Sequence, residues 1–165
     1  LSSHKAGWDD RWEEFSDQAV RAQLIKDDLL ALVDEDTNSF NLVMDAFGLP
    51  KTTAEERSAR TNAIQQATKY ATEVPLRTMR RTFDAFEVIR AMADNGNPNS
   101  VTDAGVGALC ARSAIMGAFL NVKINAAGLK DRAFADEILT EGSEIEKRTI
   151  VQETEIMQIV NQKIG

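Results

Sequence analysis

Apolar residues return every seven positions from Trp8 to Phe47, a recurrence that admits one long amphipathic helix and excludes a strand of any ordinary length. Trp8, Phe15, Ala22, Leu29, Asp36 and Val43 form one column, and Trp12, Ala19, Lys26, Val33, Phe40 and Phe47 form a second beside it. The helix is on the order of 60 Å long, and the "GLP" at 48–50 ends it with a glycine followed by a proline. Within "VDEDTN", this register puts Asp36 in the apolar seam and turns Asp34 and Glu35 elsewhere. A carboxylate in a seam needs a reason.

Three further helices are predicted. The second starts at "TTAEE", where Thr52 or Thr53 caps and Glu55 and Glu56 suit the positive end of the dipole, and runs to Ala93. Pro75 lies inside it, so a kink or a break is expected there, with the carbonyl near Ala71 freed. The third runs from "NSVTDAG" to about Ala126, with Ser100 and Asp103 spaced as a capping box, and the fourth from about Lys130 to Lys163. The third carries Gly105, Gly107, Ala108, Ala111, Ala114, Gly117 and Ala118, so backbones can approach it closely or leave room for a ligand. Residues 1–165 therefore read as a single all-α domain, a bundle of four long, mostly antiparallel helices.

Composition narrows function by exclusion. A net charge of -7 with scattered Lys and Arg offers no stripe to neutralise phosphates, which argues against nucleic acid. Cys110 is the single cysteine, so an internal disulfide and paired-cysteine metal sites are excluded, and a reducing, cytoplasmic setting is expected. The most apolar stretch, "SAIMGAFLNV" at 113–122, soon meets Lys123, so no membrane span is expected. His4, the sole histidine, stands at the extreme end, which removes Glu-x-x-His metal bundles and Ser-His-Asp triads. Cys110, set among Ala and Leu, reads as an inert buried thiol.

Carboxylate and amide chemistry remains, in Asp36, Asp103, Asn121 and Asn125. Each has a structural alternative: a seam Asp fixes register, Asp103 caps its helix, and paired Asn side chains bridge helices. Asp103 and Asn121 are five helical turns apart, on one face but separated by about 27 Å. An antiparallel partner chain brings such distant residues together, which hints at sites between subunits.

"LVDEDTNSFN" (32–41), "GLPKTTAEERSART" (48–61), "EVPLRT" (73–78), "GNPNSVTDAGVGAL" (96–109) and "FLNVKIN" (119–125) occur in an order and spacing that resembles the cyclodeaminase/cyclohydrolase family of folate enzymes over nearly the whole chain. The resemblance implies an all-helical dimer or higher homo-oligomer that closes 5-formiminotetrahydrofolate to 5,10-methenyltetrahydrofolate with release of ammonia. It implies a role in one-carbon metabolism and histidine degradation, a tetrahydrofolate substrate with no tightly bound cofactor or metal, and a formiminotransferase domain fused in some members. Asp36 matches the second Asp of the family's "VDxD" stretch and is the expected catalytic acid/base. Asp103, Asn121 and Asn125 are expected to bind substrate, with Thr102 standing where the family usually has Ser. Family members carry a Gly-rich "PGGGS" segment ahead of the residues matching Leu1, so a fragment is expected. Methenyltetrahydrofolate cyclohydrolase uses the same acid/base group, and a non-catalytic helical assembly module is the remaining alternative.

Overall fold

The structure is a computed structural model that describes Ala6 and residues 9–165; Trp8 and His4, used above, lie outside the described residues. Four helices form the fold: α1 (Trp12–Gly48), α2 (Ala54–Asn95), α3 (Val101–Ala127) and α4 (Arg132–Ile164), with 3-10 turns at Asp9–Arg11 and Pro98–Ser100. No strand occurs among the described residues. α2 packs against all three other helices, α3 also packs against α4, and α1 packs mainly on α2.

The start of α2 has the local cause the sequence predicts, and α4 has a cap of its own. Thr53 Oγ1 accepts from the Glu56 amide at 3.1 Å while Glu56 Oε2 accepts from the Thr53 amide at 3.0 Å, a complete capping box. Asp131 Oδ1 accepts from the Phe134 amide at 3.1 Å and starts α4. The box expected at Ser100 and Asp103 is absent: Ser100 ends a 3-10 turn, with φ -117° and ψ 15°, and makes no side-chain cap. Asp103 is thereby released from a capping role.

The core joins Leu76, Met79 and Phe86 of α2 to Ile115, Phe119 and Val122 of α3 and to Ile138 and Ile156 of α4. Arginine–glutamate pairs flank it: Arg80 with Glu141, Arg90 with Glu155, and Arg112 with the buried Glu153 at 2.8 Å. Contrary to the sequence reading, Pro98–Ala127 is long and apolar enough to cross a membrane by length and composition. Here it packs between α2 and α4, where its Ala and Gly residues allow close helix contact.

Two further expectations need correction. α2 runs as one α-helix through Pro75, with no gap. The carbonyl that the proline leaves without its helical donor, that of Ala71, accepts from Asn125 Nδ2 of α3 at 2.8 Å, which removes the cost of an orphaned acceptor. The second correction concerns α1. Phe15, Leu29 and Val43 face α2, but their partner column is Gln18, Ile25, Leu32, Ser39 and Ala46. Trp12, Val33, Phe40 and Phe47 are 48 to 62% exposed. The misreading has a physical source, because the true partner column contains polar residues: Ser39 satisfies its hydroxyl on the Asp36 carbonyl at 2.8 Å and so occupies a seam that hydrophobicity alone gives to Phe40.

Ion pairs mark the same choice of flank. Arg21, Asp28 and Glu35, seven residues apart, meet Glu87, Arg81 and Arg77 of α2. Glu35, expected to point away from the seam, accepts from both the Arg77 guanidinium and the Tyr70 hydroxyl. These bonds, Arg77 first and Tyr70 second, hold the Glu35 carboxyl below the usual glutamate range. A carboxyl whose pKa is lower folded than unfolded adds stability above the unfolded value, and that stability is lost as pH falls through the folded one. Glu35→Gln should therefore cost about 1 kcal/mol at neutral pH, as expected for a solvent-screened pair with an added hydrogen bond. Urea unfolding at a series of pH values should show the difference closing below the ordinary glutamate range.

Glycines on α3 and α4 give a second test. A Cβ at Gly142 would overlap the buried Phe119 ring, whereas one at Gly117 meets nothing within 4 Å. Gly142→Ala should destabilise by about 1–3 kcal/mol through overpacking. Gly117→Ala should stabilise by up to about 1 kcal/mol through helix propensity. A loss at Gly117 instead would reveal another element packed on that face of α3.

Candidate active site

α1 and α3 stand on either side of α2 and leave a valley between them. Its lower end is a cleft of about 360 Å³ between Gln18 and Ala22 of α1, Ile89 of α2, and Asp103 and Gly107 of α3. A second hollow of about 370 Å³ shares Ala22, Val88 and Ile89 with the first and continues upward past Leu29, Leu30 and Val33. The walls are mostly apolar and small. Polar groups gather at the lower end, where Asn97, Ser100 and Asp103 line the cleft and Gln18 Oε1 is buried without a hydrogen-bond partner among the described residues. Such an orphaned acceptor favours a ligand or water that donates to it.

Helix register decides which residues share the valley. Asp36 belongs to the column of Ala22 and Leu29, both of which line it. On α3, Asn121 and Asn125 each follow the cleft residues Asp103 and Gly107 by 18 positions, five full turns, and so return to the same face. Contacts with α2 give the heights. A Cβ at Gly107 would lie 3.7 Å from Ile89, and Asn125 bonds Ala71, so the two helices run antiparallel in step. Tyr70 and Arg77, which bracket Glu35, are therefore level with about residues 126 and 119 of α3. Asp36, the next residue, lies at the height of Asn121 and Asn125, across the valley from them.

The sequence candidates thus resolve into two groups. Register brings Asp36, Asn121 and Asn125 to one height, level with the stretch of α2 that contains Ala71 and Pro75, and Asp103 sits about 27 Å lower on the same face of α3. Asp36 is exposed, so the buried seam expected for it is not supplied by this chain; it stands on an open apolar flank, with Val33 and Phe40 one turn away on either side. Its neighbour Asp34 is also exposed. Asn121 is exposed and Asn125 half-buried, its donor already engaged. Among the described residues, the carboxylates of Asp36 and Asp103 meet no hydrogen-bond donor. Cys110, expected to be buried, is exposed, and by register it shares the face of α3 that carries Asp103 and Asn121. Sequence reasoning missed Gln18 and the Glu35–Tyr70–Arg77 cluster; the spacing Arg21, Asp28, Glu35 was a signal that pointed to the second.

Two acceptor carboxylates and oriented amides in an otherwise apolar trough suit a ligand that is largely flat and apolar and carries hydrogen-bond donors or positive charge. No group of three His, Cys, Asp or Glu side chains converges as a metal site among the described residues.

Comparison with known proteins places the chain in a family. The family described as formiminotransferase-cyclodeaminase matches residues 1–144. Methenyltetrahydrofolate cyclohydrolase of Methylorubrum extorquens is 45% identical over 68% of this chain and 54% of its own length. Formimidoyltransferase-cyclodeaminase of Gallus gallus is 38% identical over 67% of this chain but only 20% of its own. The chain thus spans about half of the first relative and a fifth of the second. The crystal structure of formiminotetrahydrofolate cyclodeaminase from Thermotoga maritima superposes with a TM-score of 0.85 over 99% of this chain and 78% of that one, at 22% identity, a likeness of fold. By its matched length and its relatives, this chain belongs to the formiminotransferase-cyclodeaminase family.

Proposed function

We propose that the valley binds a tetrahydrofolate carrying a one-carbon unit and that the protein is a formiminotetrahydrofolate cyclodeaminase. The observation that carries this reading is the opposition of Asp36 to Asn121 and Asn125 at one height of an apolar trough. In the reaction, N10 of the folate attacks the amidinium carbon, and the adduct bears a proton on N10 and a neutral amino group. The Asp36 carboxylate takes the N10 proton and returns it to that amino group, which leaves as ammonia. The methenyl cation that remains carries the charge the amidinium had, so one carboxylate serves as base, acid and counter-charge. Asn121 and Asn125 hold the reacting unit, and Asp103, with Gln18 nearby, receives donors at the far end of the ligand or of a second one.

A second reading is methenyltetrahydrofolate cyclohydrolase, favoured by the 45% identity to the Methylorubrum extorquens protein. There water attacks the methenyl carbon and gives its proton to Asp36. The purified full-length protein offered each folate separately decides between them. Ammonia release with a rise in methenyl absorbance supports the first reading, and decay of methenyl absorbance without ammonia supports the second. No turnover of either folate rejects both and returns the chain to a helical assembly role.

The exposed apolar side chains of α1 and α3, Phe40, Met44, Leu120 and Ile124 among them, fit a homo-oligomer in which a second copy covers these faces. Sedimentation of the full-length protein at micromolar concentration should give a dimer or larger species.

In the same protein, Asp36→Asn should lose at least about 100-fold in turnover while the helices survive, since the amide keeps the carboxylate's shape but cannot carry the proton. Asp34→Asn, on the neighbouring exposed position, should stay near full activity. Near-normal turnover by the Asp36 variant would remove the assignment.

A further inference from the structure

Pro75 and Asn125 are 50 residues apart in sequence and act on one atom, the carbonyl oxygen of Ala71. In an unbroken helix that oxygen accepts from the amide of residue 75, and a proline has none to give. The vacancy is filled by Asn125 Nδ2 at 2.8 Å. A carbonyl only accepts, so the amide's NH2 end must face α2 and its oxygen end must face away. Asn125 lies five turns above Gly107, on the wall of the valley, and α2 forms the floor; the end turned from α2 is the end turned to the valley. No protein donor meets Asn125 Oδ1 among the described residues.

We infer that Pro75 is a positioning residue: by leaving the Ala71 carbonyl free it captures the donor end of Asn125, so that Asn125 presents a fixed acceptor and selects a ligand with an N–H donor at the height of Asp36. The inference rests on the proposed folate site and adds its polarity. An Asn free to rotate offers a donor or an acceptor at equal cost, and discriminates poorly. An anchored one offers Oδ1 alone. A formimino group carries amidine N–H bonds that Oδ1 and the Asp36 carboxylate can both accept, whereas the methenyl bridge carries no N–H. The pair therefore favours the formimino ligand over the methenyl one.

The test compares Pro75→Ala with the parent, both in the Asp36→Asn background so that ligand is bound without turnover. Alanine restores an amide at position 75 to compete for the Ala71 carbonyl and leaves Asn125 chemically untouched. In the parent, the Asn125 side-chain NH2 should be protected from hydrogen exchange by 15N NMR relative to that of exposed Asn121, and in Pro75→Ala the protection should vanish. Affinity for 5-formiminotetrahydrofolate should fall about 5- to 10-fold, the scale of one oriented hydrogen bond, while affinity for 5,10-methenyltetrahydrofolate changes less than twofold. If Pro75→Ala fails to fold, Asn125→Ala, which removes the Oδ1 acceptor and adds no charge, should show the same loss for the formimino ligand and leave methenyl affinity within twofold. An unprotected Asn125 amide in the parent overturns the inference, as does unchanged formimino affinity once protection is lost, or an equal loss for both ligands. A parent that binds neither folate overturns the proposed function instead, and is recognised because the amide signal still reports the anchor.

Discussion

Every placement in the valley depends on the fixed register of α2 with both of its neighbours. Glu35 reaching Arg77 and Tyr70 sets the height of α1, and Asn125 reaching Ala71 sets the height of α3. Both contacts fall within one eight-residue stretch of α2, Tyr70 to Arg77, so error in either accumulates over about two turns at most before it reaches the other. A slip of α1 by one residue would rotate Asp36 by about 100° and carry it off the valley wall. Neither contact is strong alone, since Glu35 and Arg77 are partly solvated and their attraction is screened. Their value is geometric: they choose among registers that the apolar seam by itself leaves close in energy.

The two flanks of α1 are unequal in a way that follows from the same choice. One flank spends its charges on α2 through Arg21, Asp28 and Glu35. The other keeps Trp12, Val33, Phe40 and Phe47 open, together with Asp36. α3 is built to the same plan, with Ile115, Phe119 and Val122 turned to the core and Gly117, Leu120 and Asn121 left outside. A Cβ at Gly107 would only touch Ile89, at 3.7 Å, whereas Gly142 takes up the Phe119 ring, which a Cβ there would overlap. Small residues on α3 therefore serve two purposes that its composition alone does not separate, close packing against α4 and an unobstructed wall.

Helix number, ends and order were legible because caps and periodicity are local: Thr53 with Glu56, the glycines at 48 and 128, and the seven-residue recurrence each act within a few residues. The flank of α1 was not legible, because Ser39 and Gln18 fill seam positions for reasons that lie in backbone hydrogen bonding and in the shape of α2. Pro75 was read correctly as freeing a carbonyl and wrongly as breaking the helix, since the donor that repairs the loss comes from residue 125 and no local pattern announces it. The valley faces of Asp103 and Asn121 followed from counting turns. Their relation to Asp36 did not, because it requires the relative height of two helices that touch only through a third.

Exposure of Asp36 bears on how a carboxylate there would act. A proton carrier in the proposed cyclisation must give up its proton as readily as it takes it, and must face a cation before and after the chemistry. On an open flank, water screens its attraction for that cation. A flat folate lying in the valley would cover Val33 and the apolar wall of α3, expel that water, and strengthen the attraction at the moment the one-carbon unit is in place. Oriented amides add to this only if they keep their direction without water to guide them, which a donor tied to the Ala71 carbonyl provides for Asn125. An apolar trough with few, fixed acceptors is thus more effective when filled than when empty, because the ligand completes the low-dielectric surroundings that the protein alone leaves open.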